Sequence, residues 1–263
     1  MQQFFIAPAW FSDHGISKAM PPAQAPLLPL PGELNHQLVR VLRIRGGEQV
    51  RLADGQGRIY LAQLQKTGNR VKARLLSMFA KEEGLGLPLC LCQAKIRKER
   101  WEWMLQKACE LGVNRIIPVE TEYTNQKWQL TDHLRQRQEA ILREAAEQSE
   151  RFTIPVLEEE CRLDDLTPSS EELCLFPCER SEGQTRSLFD WACSQDPQKL
   201  KETHPKGVRL LIGPEGGFSP EEKENLLQRG WKAVSLGRRI LRAETAAIYS
   251  TGLVREILDR ENA

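Results

Sequence analysis

Two short segments near the C-terminal end hold the residues best placed for chemistry. One is Ile212-Gly213-Pro214-Glu215-Gly216-Gly217-Phe218; the other is Leu236-Gly237-Arg238-Arg239-Ile240-Leu241-Arg242-Ala243-Glu244-Thr245-Ala246. Their glycines let a backbone approach a bound molecule closely. Their carboxylates, Glu215 and Glu244, can take a proton, and the guanidinium of Arg242 can hold a developing negative charge. The obvious rival is a phosphate loop. Its Lys-Ser/Thr ending is absent and the glycine spacing is not Gly-x-Gly-x-x-Gly, so the pattern does not point to a nucleotide held by its phosphates. A glycine-rich turn taken alone is as readily a plain turn. The purely structural readings are that Glu215 caps amides of its own turn and that Arg242 pairs with Glu244.

Strands and helices must position these segments. Val208–Ile212 reads as a buried strand leading into the first, and Lys232–Leu236 as a strand leading into the second. Open α/β sheets bind their ligands at such strand ends. Ser219-Pro220-Glu221-Glu222 is a helix start. The hydroxyl can accept from first-turn amides, proline suits the first helical position, and Glu222 can bond back to the cap. Gly230 closes that helix, and Ala243–Asp259 forms the last one. Upstream, Leu89–Ala94 is a short apolar strand. The helix after it places Trp101, Met104, Leu105, Ala108 and Leu111 on one stripe, and Gly112 fits the left-handed position past its end. Val113–Val119 is a strand, Asp132–Glu150 a longer helix, and Leu173–Phe176 another strand. Repeated strand–helix units predict a largely parallel sheet covered on both faces.

Residues 1–75 have a different texture. A proline-rich connection (Pro21, Pro22, Pro26, Pro29, Pro31) leads to a helical stretch from Glu33 to Val41. The runs Gln49–Ala53, Ile59–Gln65 and Arg70–Leu76 follow, broken by Gly46-Gly47, Asp54-Gly55 and Gly68-Asn69. Apolar residues recur there at every second position, the half-buried strand period, and short strands so spaced predict a small barrel. Phe79–Pro88 reads as the connection between domains, which gives a division into residues 1–75 and 76–263.

Charge separates the same parts. The whole chain carries a formal +1, but residues 1–80 hold 10 basic side chains against 4 acidic ones, a net +6 that leaves −5 for residues 81–263. Such asymmetry marks an anion-binding module joined to a body with another task. A second basic run, Lys95, Arg97, Lys98 and Arg100, precedes the helix that carries Trp101, Trp103 and Met104. These three side chains could stack on a base, although Trp101 and Met104 have the spacing of core residues.

Composition excludes other classes. The seven cysteines form no Cys-x-x-Cys pair and the four histidines are scattered, so a metal site is not expected. Free thiols without a disulfide pattern suit a reducing cytosol. The apolar run Phe4–Phe11, followed by Ala23-Gln24-Ala25, imitates a signal peptide, yet no Lys or Arg precedes it. Nothing approaches a membrane span, and the expectation is a soluble, cytoplasmic protein.

Taken together the two C-terminal segments resemble the signature of the SPOUT methyltransferases, in particular the bacterial family that methylates uracil N3 in 16S ribosomal RNA. Three further stretches carry the resemblance, in register along nearly the whole chain. They are Val41-Leu42-Arg43 after His36, Gln106-Lys107-Ala108-Cys109-Glu110-Leu111-Gly112-Val113, and Glu144-Ala145-Ala146-Glu147-Gln148-Ser149-Glu150-Arg151. Two positions depart from that pattern. Gln3 and Tyr123 stand where the family has arginines, which would remove two cations from an RNA-facing surface.

The resemblance implies a PUA-like N-terminal barrel joined to a parallel-sheet α/β domain with a C-terminal trefoil knot. It also implies a homodimer, an S-adenosyl-L-methionine cofactor, and the 16S rRNA or small ribosomal subunit as partner. The cofactor would lie against Ile212, Gly213, Glu215, Gly216, Gly217, Leu236, Gly237, Ile240, Leu241 and Thr245. Arg242, Glu215 and Glu244 become the catalytic candidates. His36, Arg40, Arg43, Lys95, Arg97, Arg151 and Arg239 become the RNA contacts. N3 lies on the Watson–Crick edge of uracil, so the target base must be unpaired or swung out. The alternatives are a related enzyme acting on another rRNA or tRNA base or on a ribose 2′-oxygen, and a non-catalytic RNA-binding assembly factor.

Overall fold

A computed structural model describes residues 1–16, 26–81, 87–178 and 185–260. Pro21, Pro22, Ala23-Gln24-Ala25 and residues 82–86 of the expected connection lie outside the described residues. The chain divides into two compact units, one of residues 1–84 with 146–154, the other of residues 85–145 with 155–263.

In the first unit β1 (Gln3–Phe5) precedes α1 (Pro8–Asp13), then β2 (Leu28–Pro29) and α2 (Gly32–His36), which continues as one turn of π-helix over Gln37–Val41. Three longer strands follow, β3 (Gln49–Ala53), β4 (Arg58–Thr67) and β5 (Arg70–Lys81). The sheet order is β1-β3-β4-β5-β2, with β1 parallel to β3 and the other pairs antiparallel. Two register shifts, at Ile59/Tyr60 and Leu61/Ala62, bend the β4–β5 ribbon. The alternate residues Val50, Leu52, Tyr60, Ala62 and Leu64 are buried in one core with Phe4, Phe11 and Leu38, so the period-two pattern is the inward face of this sheet. The apolar N-terminal run is therefore core, split between β1 and α1. Residues 146–154 complete the unit: Gln3 Nε2 donates to the Arg151 carbonyl at 2.6 Å, the Phe5 amide to Glu147 Oε1 at 2.9 Å, and Arg51 pairs with Glu150. Nothing in the sequence pattern marks that discontinuity.

The second unit alternates as expected. Its elements are β6 (Leu89–Ala94), α3 (Lys98–Glu110), β7 (Arg115–Glu120), α4 (Asp132–Gln148, its last turn in the first unit), β8 (Val156–Leu157), β9 (Cys161–Arg162) and β10 (Glu172–Pro177). Then come α5 (Leu188–Cys193), α6 (Pro197–Thr203), β11 (Gly207–Ile212), α7 (Pro220–Gln228), β12 (Lys232–Val234) and α8 (Ala243–Leu258). The sheet runs β12-β10-β11-β6-β7-β8, with β9 also on β7, and every pair is parallel. β6 and β11 are buried at every position, which is why their sequences are mostly apolar; the exceptions are the buried Gln93 and Arg209. The partner of β7 is split into β8 and β9 on either side of Pro118, which has no N–H to give a ladder. Among the described residues no helix is long and apolar enough to cross a membrane.

Sequence reading passed over α5 and α6, though both have starting signals. Ser187 accepts from the Phe189 amide, and Asp196 accepts from Gln198 and Lys199 ahead of Pro197. Their brevity, six and seven residues, hides them from a periodicity search. The predicted start of α7 is present in full: the Ser219 hydroxyl accepts from the Glu222 amide at 3.2 Å, and Glu222 Oε2 from the Ser219 amide at 2.9 Å. Ser219 is fully buried, so Ser219→Ala leaves an amide without a partner. It is expected to cost about 1 kcal/mol and to lower the thermal midpoint by about 2–4 °C. An unchanged midpoint in calorimetry would show that the cap contributes nothing.

Candidate active site

The two glycine-bearing segments meet. The turn after β11 is closed by the Gly217 amide, which donates to the Pro214 carbonyl at 3.0 Å with Gly217 at φ +72°. Gly213 is held from β6, where Gln93 Nε2 reaches its carbonyl at 3.4 Å. Gly216 lies so close to Tyr123 that a methyl group there would stand 3.1 Å from the Tyr123 Cβ. The segment after β12 turns at Gly237 (φ +104°), whose amide donates to Ser235 Oγ at 3.2 Å. From Arg238 to Leu241 the main chain then makes no hydrogen bond among the described residues, before α8 begins behind Arg242 as N-cap.

Between these segments, at the C-terminal ends of β10, β11 and β12, lies a cavity of about 1000 Å³. Nine of the ten expected cofactor-binding residues line it; Thr245 is exposed and does not. Arg239 and Arg242 line it as well. Arg242 makes no side-chain cap bond and no ion pair among the described residues, so the structural reading of an Arg242–Glu244 pair fails.

The carboxylates have different settings. Glu215 is on the rim, 30% exposed. It does not cap its own turn; its Oε1 accepts from the Arg97 amide at the start of α3 at 3.4 Å. Glu244 is only 7% exposed and is not in the lining, one of its oxygens being buried without a partner. Among the described residues its one ion-pair partner is Arg100, with Nε 3.6 Å away. Buried and absent from the lining, Glu244 stands behind the cavity wall and not in direct contact with its contents. Arg100 itself lines the cavity, as do Lys223 and Arg238. None of the three was singled out for the site. A basic run shows no preferred face, and only the orientation of α3 turns Arg100 inward. Among the described residues the lining carries Arg100, Lys223, Arg238, Arg239 and Arg242 against one carboxylate, Glu215, so its field favours anionic groups beside these cations.

A smaller hollow of about 590 Å³ beside α7 has the opposite character, with Glu120, Glu122, Asp164, Glu221 and Glu222 in its wall. Arg162 shares that wall, and five carboxylates against one guanidinium disfavour a phosphate there. Among the described residues no group of three or more His, Cys, Asp or Glu is placed to hold a metal ion.

The expected RNA contacts separate. His36, Arg40 and Arg43 are exposed on the first unit. They follow one another through the π-turn, and Arg43 closes it in the left-handed region at φ 51°. Arg151 belongs to the same unit and is half-buried. Arg97 is exposed. Lys95 is corrected: it is 4% exposed, its ammonium lies 2.6 Å from Glu160 Oε1 and 5.7 Å from the centre of the Trp128 ring, and so it is a buried partner rather than a surface cation. Gln3 is corrected likewise, since at 4% exposure it faces the core and not RNA. Trp101 and Met104 are fully buried, which leaves only Trp103, 47% exposed, free to stack.

Comparison with known proteins gives this arrangement a family. Residues 83–255 match the RNA methyltransferase domain model and residues 32–76 the RNA methyltransferase PUA domain model. A ribosomal RNA small subunit methyltransferase E from Rickettsia conorii is 31% identical over 222 residues, covering 84% of this chain and 85% of its own length. One from Bacillus subtilis is 28% identical over 239 residues, covering 88% and 90%. Among solved structures, a putative methyltransferase from Legionella pneumophila in complex with bound SAM is 28% identical, with a TM-score of 0.76 and coverage of 99% and 98%. The ribosomal RNA small subunit methyltransferase E from Neisseria gonorrhoeae bound to S-adenosyl methionine has the same fold, with a TM-score of 0.76 at 24% identity and 98% coverage of both chains. Matched over both its units, the chain belongs to the ribosomal RNA small subunit methyltransferase E family of RNA methyltransferases.

Proposed function

We propose that the cavity between the two glycine-bearing segments seats S-adenosylmethionine, and that the protein methylates N3 of a uridine in 16S ribosomal RNA. The observation that carries this reading is the convergence of both segments on one cavity at the strand ends. The residues fit such a ligand. Main-chain amides from Arg238 to Leu241 have no partner among the described residues, and Ile212, Leu236, Ile240 and Leu241 offer apolar walls for an adenine ring. The absence of a phosphate loop agrees with a nucleoside that carries no phosphate.

When bound, S-adenosylmethionine supplies an electrophilic methyl group on a sulfonium. The protein's own work is positioning and charge. Glu215, on the rim, takes the weakly acidic N3 proton, and Arg242 holds the negative charge that spreads over the imide. Arg238, Arg239 and Lys223 are cations at the mouth, suited to the phosphates flanking a swung-out uridine. On the first unit, His36, Arg40 and Arg43 provide a second basic surface for RNA, in keeping with the net +6 of residues 1–80.

We further infer a cytoplasmic homodimer and a trefoil knot formed by the passage from β12 into α8. Trp103 on α3 and Tyr249 on α8 are exposed, on two helices that pack together, which suits a covered interface. For the knot, β12 lies on the far side of β10 from β11, so the chain must return across those strand ends to reach α8. The test of the activity is nucleoside mass spectrometry of small-subunit RNA after incubation with protein and S-adenosylmethionine. 3-Methyluridine is expected; a 2′-O-methylated nucleoside alone would overturn the assignment.

A further inference from the structure

The geometry points to Arg100 as the positioning residue of this site, clamping the carboxylate of Glu215 through its own hold on the buried carboxylate of Glu244. The inference rests on the reading of Glu215 as proton acceptor. Arg100 stands in the first turn of α3, and its guanidinium reaches both glycine-bearing segments at once. Nη1 is 3.9 Å from Glu215 Oε1 and Nε is 3.6 Å from Glu244 Oε1. The side chains of Arg100 and Glu215 are equally half-buried, 31% and 30% exposed, whereas that of Glu244 is buried.

Glu244 serves as the anchor. It sits in the first turn of α8, where the helix dipole favours an anion, and no other cation lies within ion-pair distance among the described residues. A carboxylate so deeply buried calls for hydrogen bonds or a countercharge, and Arg100 supplies the countercharge. The planar guanidinium then turns its far edge toward Glu215. Glu215 stands on a turn, at the rim, where water would otherwise let its side chain sweep many rotamers. Two groups at the start of α3 oppose this, the Arg97 amide, which donates to Oε1 at 3.4 Å, and the charge of Arg100, at ion-pair distance. A general base must lie within hydrogen-bond reach of its proton, and loss of such placement costs rate rather than binding.

The test uses the full-length chain with Arg100→Gln, Arg100→Lys, Glu244→Gln and Glu215→Gln. For each, kcat, KM for RNA, affinity for S-adenosylhomocysteine by calorimetry, and the thermal midpoint are measured. Arg100→Gln is expected to lower kcat by about 100-fold, with RNA KM and S-adenosylhomocysteine affinity held within about 3-fold. Arg100→Lys, which keeps the charge without the planar fork, is expected to recover kcat to within about 10-fold of the parent. Glu244→Gln is expected to lower kcat with cofactor-product affinity unchanged and to add little to Arg100→Gln. A kcat within about 3-fold of the parent for Arg100→Gln overturns the inference. So does a raised RNA KM at constant kcat, which would make Arg100 a phosphate contact, or a parallel loss of S-adenosylhomocysteine affinity, which would make it a cofactor ligand. If Arg100→Gln fails to fold, Arg100→Lys and Glu244→Gln decide by the same kcat-against-KM criterion. Glu215→Gln separates the two layers. Full activity there removes Glu215 as proton acceptor, whereas an inactive Glu215→Gln beside an active Arg100→Gln removes only the clamp.

Discussion

Gly207→Ala is expected to prevent the second unit from folding. Gly207 opens β11 at φ +101°, and a methyl group there would stand 2.0 Å from the Pro88 carbonyl oxygen and 2.8 Å from its carbon. Both obstacles are backbone, so no side chain can move aside. The same carbonyl accepts from the Val208 amide at 2.9 Å and begins the register Val208↔Leu89 that joins β11 to β6. Relieving the clash therefore means parting the two central strands of the parallel sheet. The expected loss exceeds about 4 kcal/mol, a large part of the ~5–15 kcal/mol by which domains are stable. Gly230→Ala is the control. It also has positive φ, +89°, but nothing lies within 4 Å of the added methyl, so only the dihedral strain of about 1–2 kcal/mol applies. Urea unfolding of the soluble fraction compares the two, and equal midpoints would refute the steric argument.

Arg242→Ala is expected to lower kcat by about 100- to 1000-fold while leaving affinity for S-adenosylhomocysteine within about 3-fold. Its side chain is exposed, lines the cavity, caps nothing and pairs with no carboxylate among the described residues. Removing it thus takes away a charge without removing a support, and the thermal midpoint should hold. Arg239→Ala, at the same mouth, should instead raise KM for RNA with kcat kept, as loss of a phosphate contact does. If Arg242→Ala abolished S-adenosylhomocysteine binding in calorimetry, its role would be to shape the cavity and not to stabilise charge in the reaction.

The placement of the cavity residues shows where sequence reasoning succeeded and where it stopped. Ile212, Gly213, Glu215, Gly216 and Gly217 form one continuous turn whose shape follows from its own glycines and from the helix cap at Ser219, so they were legible as a group. Lys95, Arg97, Lys98 and Arg100 formed an equally legible group by composition, yet their fates differ: Lys95 is buried against Glu160, Arg97 is exposed, and Arg100 faces the cavity. A strand end running into a helix rotates successive side chains through different directions, and charge type carries no record of that rotation.

By itself the amino-acid sequence determined the alternation of buried strands and amphipathic helices, the start of α7, the left-handed Gly112 and the two glycine-bearing turns. Each of these depends on neighbours a few residues away. Tertiary structure alone decided that residues 146–154 complete the first unit, that Gln3 is core, that Glu244 lies beneath Arg100, and that Tyr123 closes on Gly216. Those contacts join residues about a hundred or more positions apart, and their partners are fixed by which surfaces the folded sheets bring together, a matter on which local periodicity and spacing have no bearing.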